Sequence, residues 1–90
     1  MQWSVKNIML TLINIIKNEN GIEADYIPEN GDKRAHIQIN TLNNVCYAED
    51  IQPYGSMYSR MAINGLKKIL SEIQKGIIAE LPKKRVVMWY

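Results

Sequence analysis

Cysteine and histidine, the side chains that most often carry metal or nucleophilic chemistry, occur once each in this chain, as Cys46 and His36. One cysteine permits no intramolecular disulfide, which fits a reducing compartment and leads us to expect a cytoplasmic protein. With no second Cys or His, paired ligands at short spacing are missing, and neither a metal nor a cofactor is expected. A surplus of charge is missing too. Eleven basic against nine acidic residues leave a formal net charge of +2, short of the excess that marks an obligate nucleic-acid binder. The five glycines, Gly21, Gly31, Gly55, Gly65 and Gly76, stand apart from one another, so no glycine-rich phosphate loop is present. The most apolar run, Ile8 to Ile16, is interrupted by Asn14, ends at Lys17 and has no small-residue cleavage site after it. It falls well below the roughly 20 residues a membrane-spanning helix needs, so neither a leader nor a membrane segment is expected.

What the chain does have is the composition of a globular domain, 47% apolar and 22% charged in 90 residues. A chain of this length buries only about 60–65% of its unfolded surface and supports one core. No repeat, linker or low-complexity tract divides it, so residues 1–90 are expected to form a single domain. The abundance of Ile, Lys and Asn matches an A/T-rich genome, and small single-purpose chains of this kind are common in phage and mobile elements.

From Trp3 to Asn18 the residues Val5, Ile8, Met9, Leu12, Ile15 and Ile16 recur at three- and four-residue steps, which predicts a first helix closed by Asn18-Glu19-Asn20-Gly21. Ile22 to Tyr26 alternates apolar and acidic residues as a strand with one buried face. After a turn at Pro28, Asn30 and Gly31, Arg34 to Asn40 alternates again, and the two segments read as an antiparallel hairpin. Val45 to Ala48 is a short third strand. Ser56 caps a second helix reaching about Lys75, with Met57, Met61, Leu66, Ile69, Leu70 and Ile73 as its apolar stripe and Gly65 placed for close packing on the sheet. The tail Val86 to Tyr90 is too apolar to lie free in water and is expected to pair as a strand, within the chain or, alternatively, between two copies as a symmetric homodimer. The fold class is therefore α+β in the order α-β-β-β-α plus a C-terminal strand, with two helices packed on one face of a small antiparallel sheet.

Over residues 3–75 this order and these element lengths resemble the double-stranded-RNA-binding domain. Tyr26 falls where that family often has an aromatic opening its first strand. Asn30-Gly31-Asp32-Lys33-Arg34-Ala35-His36 resembles its polar, His-containing loop, and Met61, Gly65, Leu66, Ile69 and Leu70 fall at its packing positions. The family's Lys-Lys-x-Ala-Lys cluster, which grips phosphates, meets Tyr58, Ser59 and Ala62 instead. The resemblance implies duplex-RNA binding, which here would rest on Lys33, Arg34 and His36, without the cations that supply most of the affinity.

Catalysis needs a tuned base or nucleophile, and no such spacing is present, so the chain is not expected to be an enzyme. His36 is placed beside Arg34 and Gln38 on the polar face of its strand, opposite Glu23 and Asp25, as a solvated cross-strand charge group. Cys46 reads as a buried structural thiol. Glu49 and Asp50, being neighbours, point to opposite faces. Pro82-Lys83-Lys84-Arg85 has too few cations for a nuclear-localisation run and reads as a solvated link. Two places read as protein contacts. At the start of the second helix Met57 and Met61 are expected to pack inward, leaving Tyr54, Tyr58 and Arg60 outward, residue types enriched in hot spots. Trp89 and Tyr90 on the last strand form the second. The expected function is that of a small protein-binding regulator or inhibitor, with duplex-RNA binding as the alternative and no membrane partner.

Overall fold

The computed structural model describes residues 8–29 and 31–89, with the side chain of Trp89 left out. Where a helix is predicted, it has a strand, β1 (Ile8–Asn18); the Trp3 to Asn7 part of that prediction lies outside the described residues. Ile8, Thr11, Ile13, Ile15 and Ile16 are β-branched, which favours the extended chain, and Leu10 and Leu12 alternate into the core. Asn14 then adopts φ 52° and the pairing with the next strand shifts between Ile13 and Ile16. This is a β-bulge, with a residue type that tolerates the left-handed region. The bulge places the next core residue, Ile15, three positions after Leu12, and that step imitates a helical period.

Asn18 to Gly21 is accordingly a hairpin turn rather than a helix end, and the Asn18 side chain accepts a hydrogen bond from the Asn20 N–H at 2.8 Å. It leads into β2 (Gly21–Pro28), β3 (Ala35–Asn40) and β4 (Val45–Ala48), then α1 (Met57–Gln74) and β5 (Lys84–Trp89). The sheet is antiparallel with strand order β4-β3-β2-β1-β5. The predicted tail strand thus pairs within the chain, Leu10 opposite Val87 and Thr11 opposite Val86. Pro28 lacks an N–H without consequence, because β3 begins opposite Tyr26 and leaves no partner beside it.

Among the described residues there is one helix, not two, and the order is β-β-β-β-α-β. One helix covers one face of the five-stranded sheet. Leu10, Leu12, Ile22, Ala24, Tyr26 and Ile37 of the sheet meet Tyr58, Met61, Ala62, Leu66 and Ile69 of α1 in a single buried cluster. Gly65 permits the close approach the sequence implies, since a β-carbon there would stand 2.5 Å from Val87 Cγ2. Ser56 occupies the N-cap without a side-chain cap bond; the single proton of the Ser59 hydroxyl is shared between Asp50 at 2.6 Å, the shorter bond, and the Ser56 carbonyl at 3.0 Å. Gly76 ends the helix with φ 72°. Buried Tyr26 donates to the Glu49 carbonyl at 2.6 Å, and burial pushes its phenol up to about 12. No described helix is long and apolar enough to cross a membrane.

Candidate functional site

The sheet face away from α1 carries, by register, Met9, Thr11 and Ile13 of β1, Glu23, Asp25 and Ile27 of β2, His36 and Gln38 of β3, Tyr47 of β4, and Val86 and Met88 of β5. At its centre His36 sits opposite Asp25, with Glu23 on the diagonal opposite Gln38, on the polar face that the alternation predicts. Its Nδ1 lies 2.9 Å from Asp25 and its Nε2 3.5 Å from Glu23, and Asn14, aimed by the bulge, donates to Asp25 at 3.1 Å. With a carboxylate on each ring nitrogen, the imidazole is a bridge between charges and not a free base. Among the described residues no group of His, Cys, Asp and Glu is arranged to hold a metal ion.

The hydrogen bond that the His36 ring donates to Asp25 raises the imidazole above its ordinary range, against burial, with the charges of Asp25 and Glu23 adding to it. For Asp25, burial raises the pKa, but the bonds from His36 and Asn14 and the His36 charge outweigh it and leave the carboxyl low. The His36 contribution is therefore complete below its unfolded value of about 6.5 and is lost as pH rises through the higher folded value. The Asp25 contribution is present above its unfolded value of about 3.9 and is lost as pH falls through the lower folded one. Thermal unfolding should be most resisted between about pH 4.5 and 6.5. After solvent screening of these part-exposed groups the gain over alkaline buffer is roughly 0.5 kcal/mol, or about 2–4 °C. The alkaline decline should be absent from His36→Gln in scanning calorimetry.

The loops β2–β3 and β4–α1 meet at one end of the sheet. There Tyr54 and Lys33, from two different expected sites, come together around a pocket of about 150 Å³ with Pro28 and Gln52. Lys33 Nζ donates to the Gln52 carbonyl at 3.4 Å, and Arg34 is exposed on the same loop. Tyr54 is 40% exposed, but Tyr58, expected beside it at the surface, is 1% exposed. Its ring meets that of Tyr54 edge to face at 4.7 Å, and its hydroxyl donates to Glu29 at 2.5 Å. Met57, expected inside, is exposed, whereas Met61 is buried as expected. Only the first turn departs from the predicted packing, with Tyr58 in place of Met57 turned inward; Leu66 and Ile69 are buried as expected, and Leu70 and Ile73 pack against the core. Tyr90 and the Trp89 side chain lie outside the described residues.

The remaining expected contact residue, Arg60, faces the other way, toward β4. It lines a groove of about 260 Å³ between α1 and this edge strand, with Ala48, Ser59, Ile63 and Asn64. The β3–β4 hairpin exposes Leu42 (75%) at its turn and, on the face of β4 opposite the groove, Val45 (56%) and Tyr47 (51%). Cys46 is exposed as well, not buried, because α1 covers the middle of the sheet and does not reach the outer half of so short an edge strand. Sequence reasoning missed this surface. Its signal was Val45 and Tyr47 in a four-residue strand that carries no Lys or Pro to protect it. On the opposite flank Arg85 turns back onto α1 and donates to Glu72 at 2.8 Å, holding that carboxyl low, so the basic run, whose Lys84 and Arg85 already belong to β5, is partly pinned rather than a solvated link. Set against known proteins, the chain matches no family model, no curated protein and no solved structure.

Proposed function

We propose that this chain is a small protein-binding domain without catalytic activity of its own, a regulator or inhibitor that acts by stoichiometric contact. The observation that carries the reading is the concentration of exposed apolar side chains on one unprotected hairpin, Leu42 at its turn and Val45 and Tyr47 on the face of β4 turned away from α1. Scattered single apolar residues need no explanation, but a contiguous group at a sheet edge is the composition of an interaction surface.

The test is affinity capture from the lysate of the native host with the tagged full chain, with and without nuclease. One protein should be recovered at stoichiometric level after nuclease treatment and should resist added salt. The double variant Val45→Lys, Tyr47→Lys should lose it by at least about tenfold while unfolding at the same temperature. Recovery of duplex RNA that disappears with nuclease, or with substitution of Lys33 and Arg34, would replace this reading by RNA binding.

A further inference from the structure

The protein-binding reading extends to a mode of recognition at β4, and that mode rests on the reading. In an antiparallel ladder, residues alternate between pointing their N–H and C=O at the neighbouring strand and pointing them away. The Glu49 N–H donates to the His36 carbonyl at 3.0 Å, and the register continues Gln38 opposite Tyr47 and Asn40 opposite Val45. Val45, Tyr47 and Glu49 therefore turn their backbone groups toward β3. Cys46 and Ala48 turn theirs outward, at the end of the strand order where no described strand follows.

Next to this outward row lies the groove. It is lined by Ala48 of β4 and by Ser59, Arg60, Ile63 and Asn64 of α1; outside the lining, Lys67 follows two turns after Arg60 on the same flank of the helix. Neither Arg60 nor Lys67 has an ion pair among the described residues. The two carboxylates that follow β4 in the chain are engaged elsewhere, Asp50 by the Ser59 hydroxyl and Glu49 by the His36 N–H. A strand laid along β4 would bond to Cys46 and Ala48, direct every second side chain into the groove and place the others beside Val45 and Tyr47.

We propose that β4 and the groove beside it bind an extended peptide by strand addition, and that the peptide presents an apolar and an acidic side chain on the face turned toward α1. Arg60 in the groove and Lys67 beyond it decide against a second copy of the chain as the occupant, since pairing β4 with itself brings one Arg60 and Lys67 flank against its equal. Main-chain bonds supply affinity, and the groove supplies the sequence preference.

The probe is a displayed library of random linear peptides, selected on the full chain, followed by titration of the enriched peptide by fluorescence anisotropy. Enriched sequences are expected to carry Asp or Glu two positions from an apolar residue. Ala48→Pro removes an N–H that the β3–β4 ladder does not use, and should weaken binding by at least about tenfold with the unfolding temperature kept. Arg60→Glu should exchange the acidic preference for a basic one. Should Ala48→Pro fail to fold, methylation of the peptide's own amide nitrogens one at a time reads the same edge, with losses expected at every second position. Peptides without acidic preference, affinity unmoved by both variants, or methylation effects without alternation would overturn the proposal. So would concentration-dependent dimerisation that Ala48→Pro abolishes, which would give the edge to a second copy. A host protein captured from lysate and held equally by both variants ends this inference and leaves the wider reading standing, whereas capture of no protein ends the wider one.

Discussion

Gly21→Ala is expected to lower the unfolding free energy by about 3 kcal/mol, the upper end of what overpacking normally costs. A β-carbon at Gly21 would fall inside the contact distance of the Ile39 carbonyl oxygen, and within 3.2 Å of the Asn40 α-carbon. Both are backbone atoms, so no change of rotamer relieves the overlap. Gly21 also closes the β1–β2 turn opposite Asn18 and faces Asn40 of β3, so any shift is transmitted to two ladders. With a total stability of order 5–15 kcal/mol and about 4–8 °C per kcal/mol, the transition should fall by roughly 15 °C. Urea unfolding followed by circular dichroism checks this. Gly55→Ala is the control: nothing lies within 4 Å of its β-carbon and only its φ of +62° resists the change, so a loss near 1 kcal/mol is expected there. Equal losses at the two sites would show that backbone conformation, not the contact with Ile39, sets the cost.

The second large effect is expected at Tyr58. Tyr58→Ala empties a site in the core and should cost about 3–5 kcal/mol, enough to leave much of the chain unfolded at 37 °C. Tyr58→Phe keeps the ring against Tyr54 and loses only the bond to Glu29; because that carboxylate is at the surface and can hydrate, the loss should be about 0.5–1.5 kcal/mol. Burial pushes the Tyr58 phenol upward, and the bond to Glu29 adds to it, so its ultraviolet titration should lag well behind that of exposed tyrosines. A Tyr58 that titrates with them, or an alanine variant as stable as the parent, would place the ring in solvent. For partner binding the practical consequence is that Tyr54→Ala, not Tyr58→Ala, tests a contact at this end of the domain.

Both residues illustrate how far the sequence could be read. Strands β2 and β3 and helix α1 were legible because nothing interrupts their periodicity, and the Glu23, Asp25 and His36 group followed from it; β4 was legible only as a short apolar run without a register. In β1, one bulged Asn turned an every-second-residue pattern into steps of two and three, and the helical reading absorbed it. The strand content of Ile and Thr argued the other way and is what decided the local structure. In α1 the stripe from Met61 onward was found but its first turn was not, since Met57 and Tyr58 are both large and apolar, and the partners that Tyr58 finds inside, the Glu29 acceptor and the Tyr54 ring, are remote in sequence or on a loop. Cys46 was misplaced because burial of a strand face depends on how far the covering helix extends, which no local pattern records. The groove at β4 was illegible for the same reason: it exists through the lateral position of one helix over a five-stranded sheet.

The pairing of β1 with β5 also has a mechanical consequence. Ile8 lies opposite Trp89, and the ladder runs from that pair to Ile13 opposite Lys84. A pull applied between positions 8 and 89 loads one cross-strand pair at a time and peels β5 away from its first rung, instead of shearing all the rungs together. The domain should therefore yield at low force in this direction, with Val87 leaving Gly65 early. A pull between position 8 and the β3–β4 hairpin would strain several ladders at once and should meet higher resistance, a contrast that single-molecule stretching from engineered attachment points can measure.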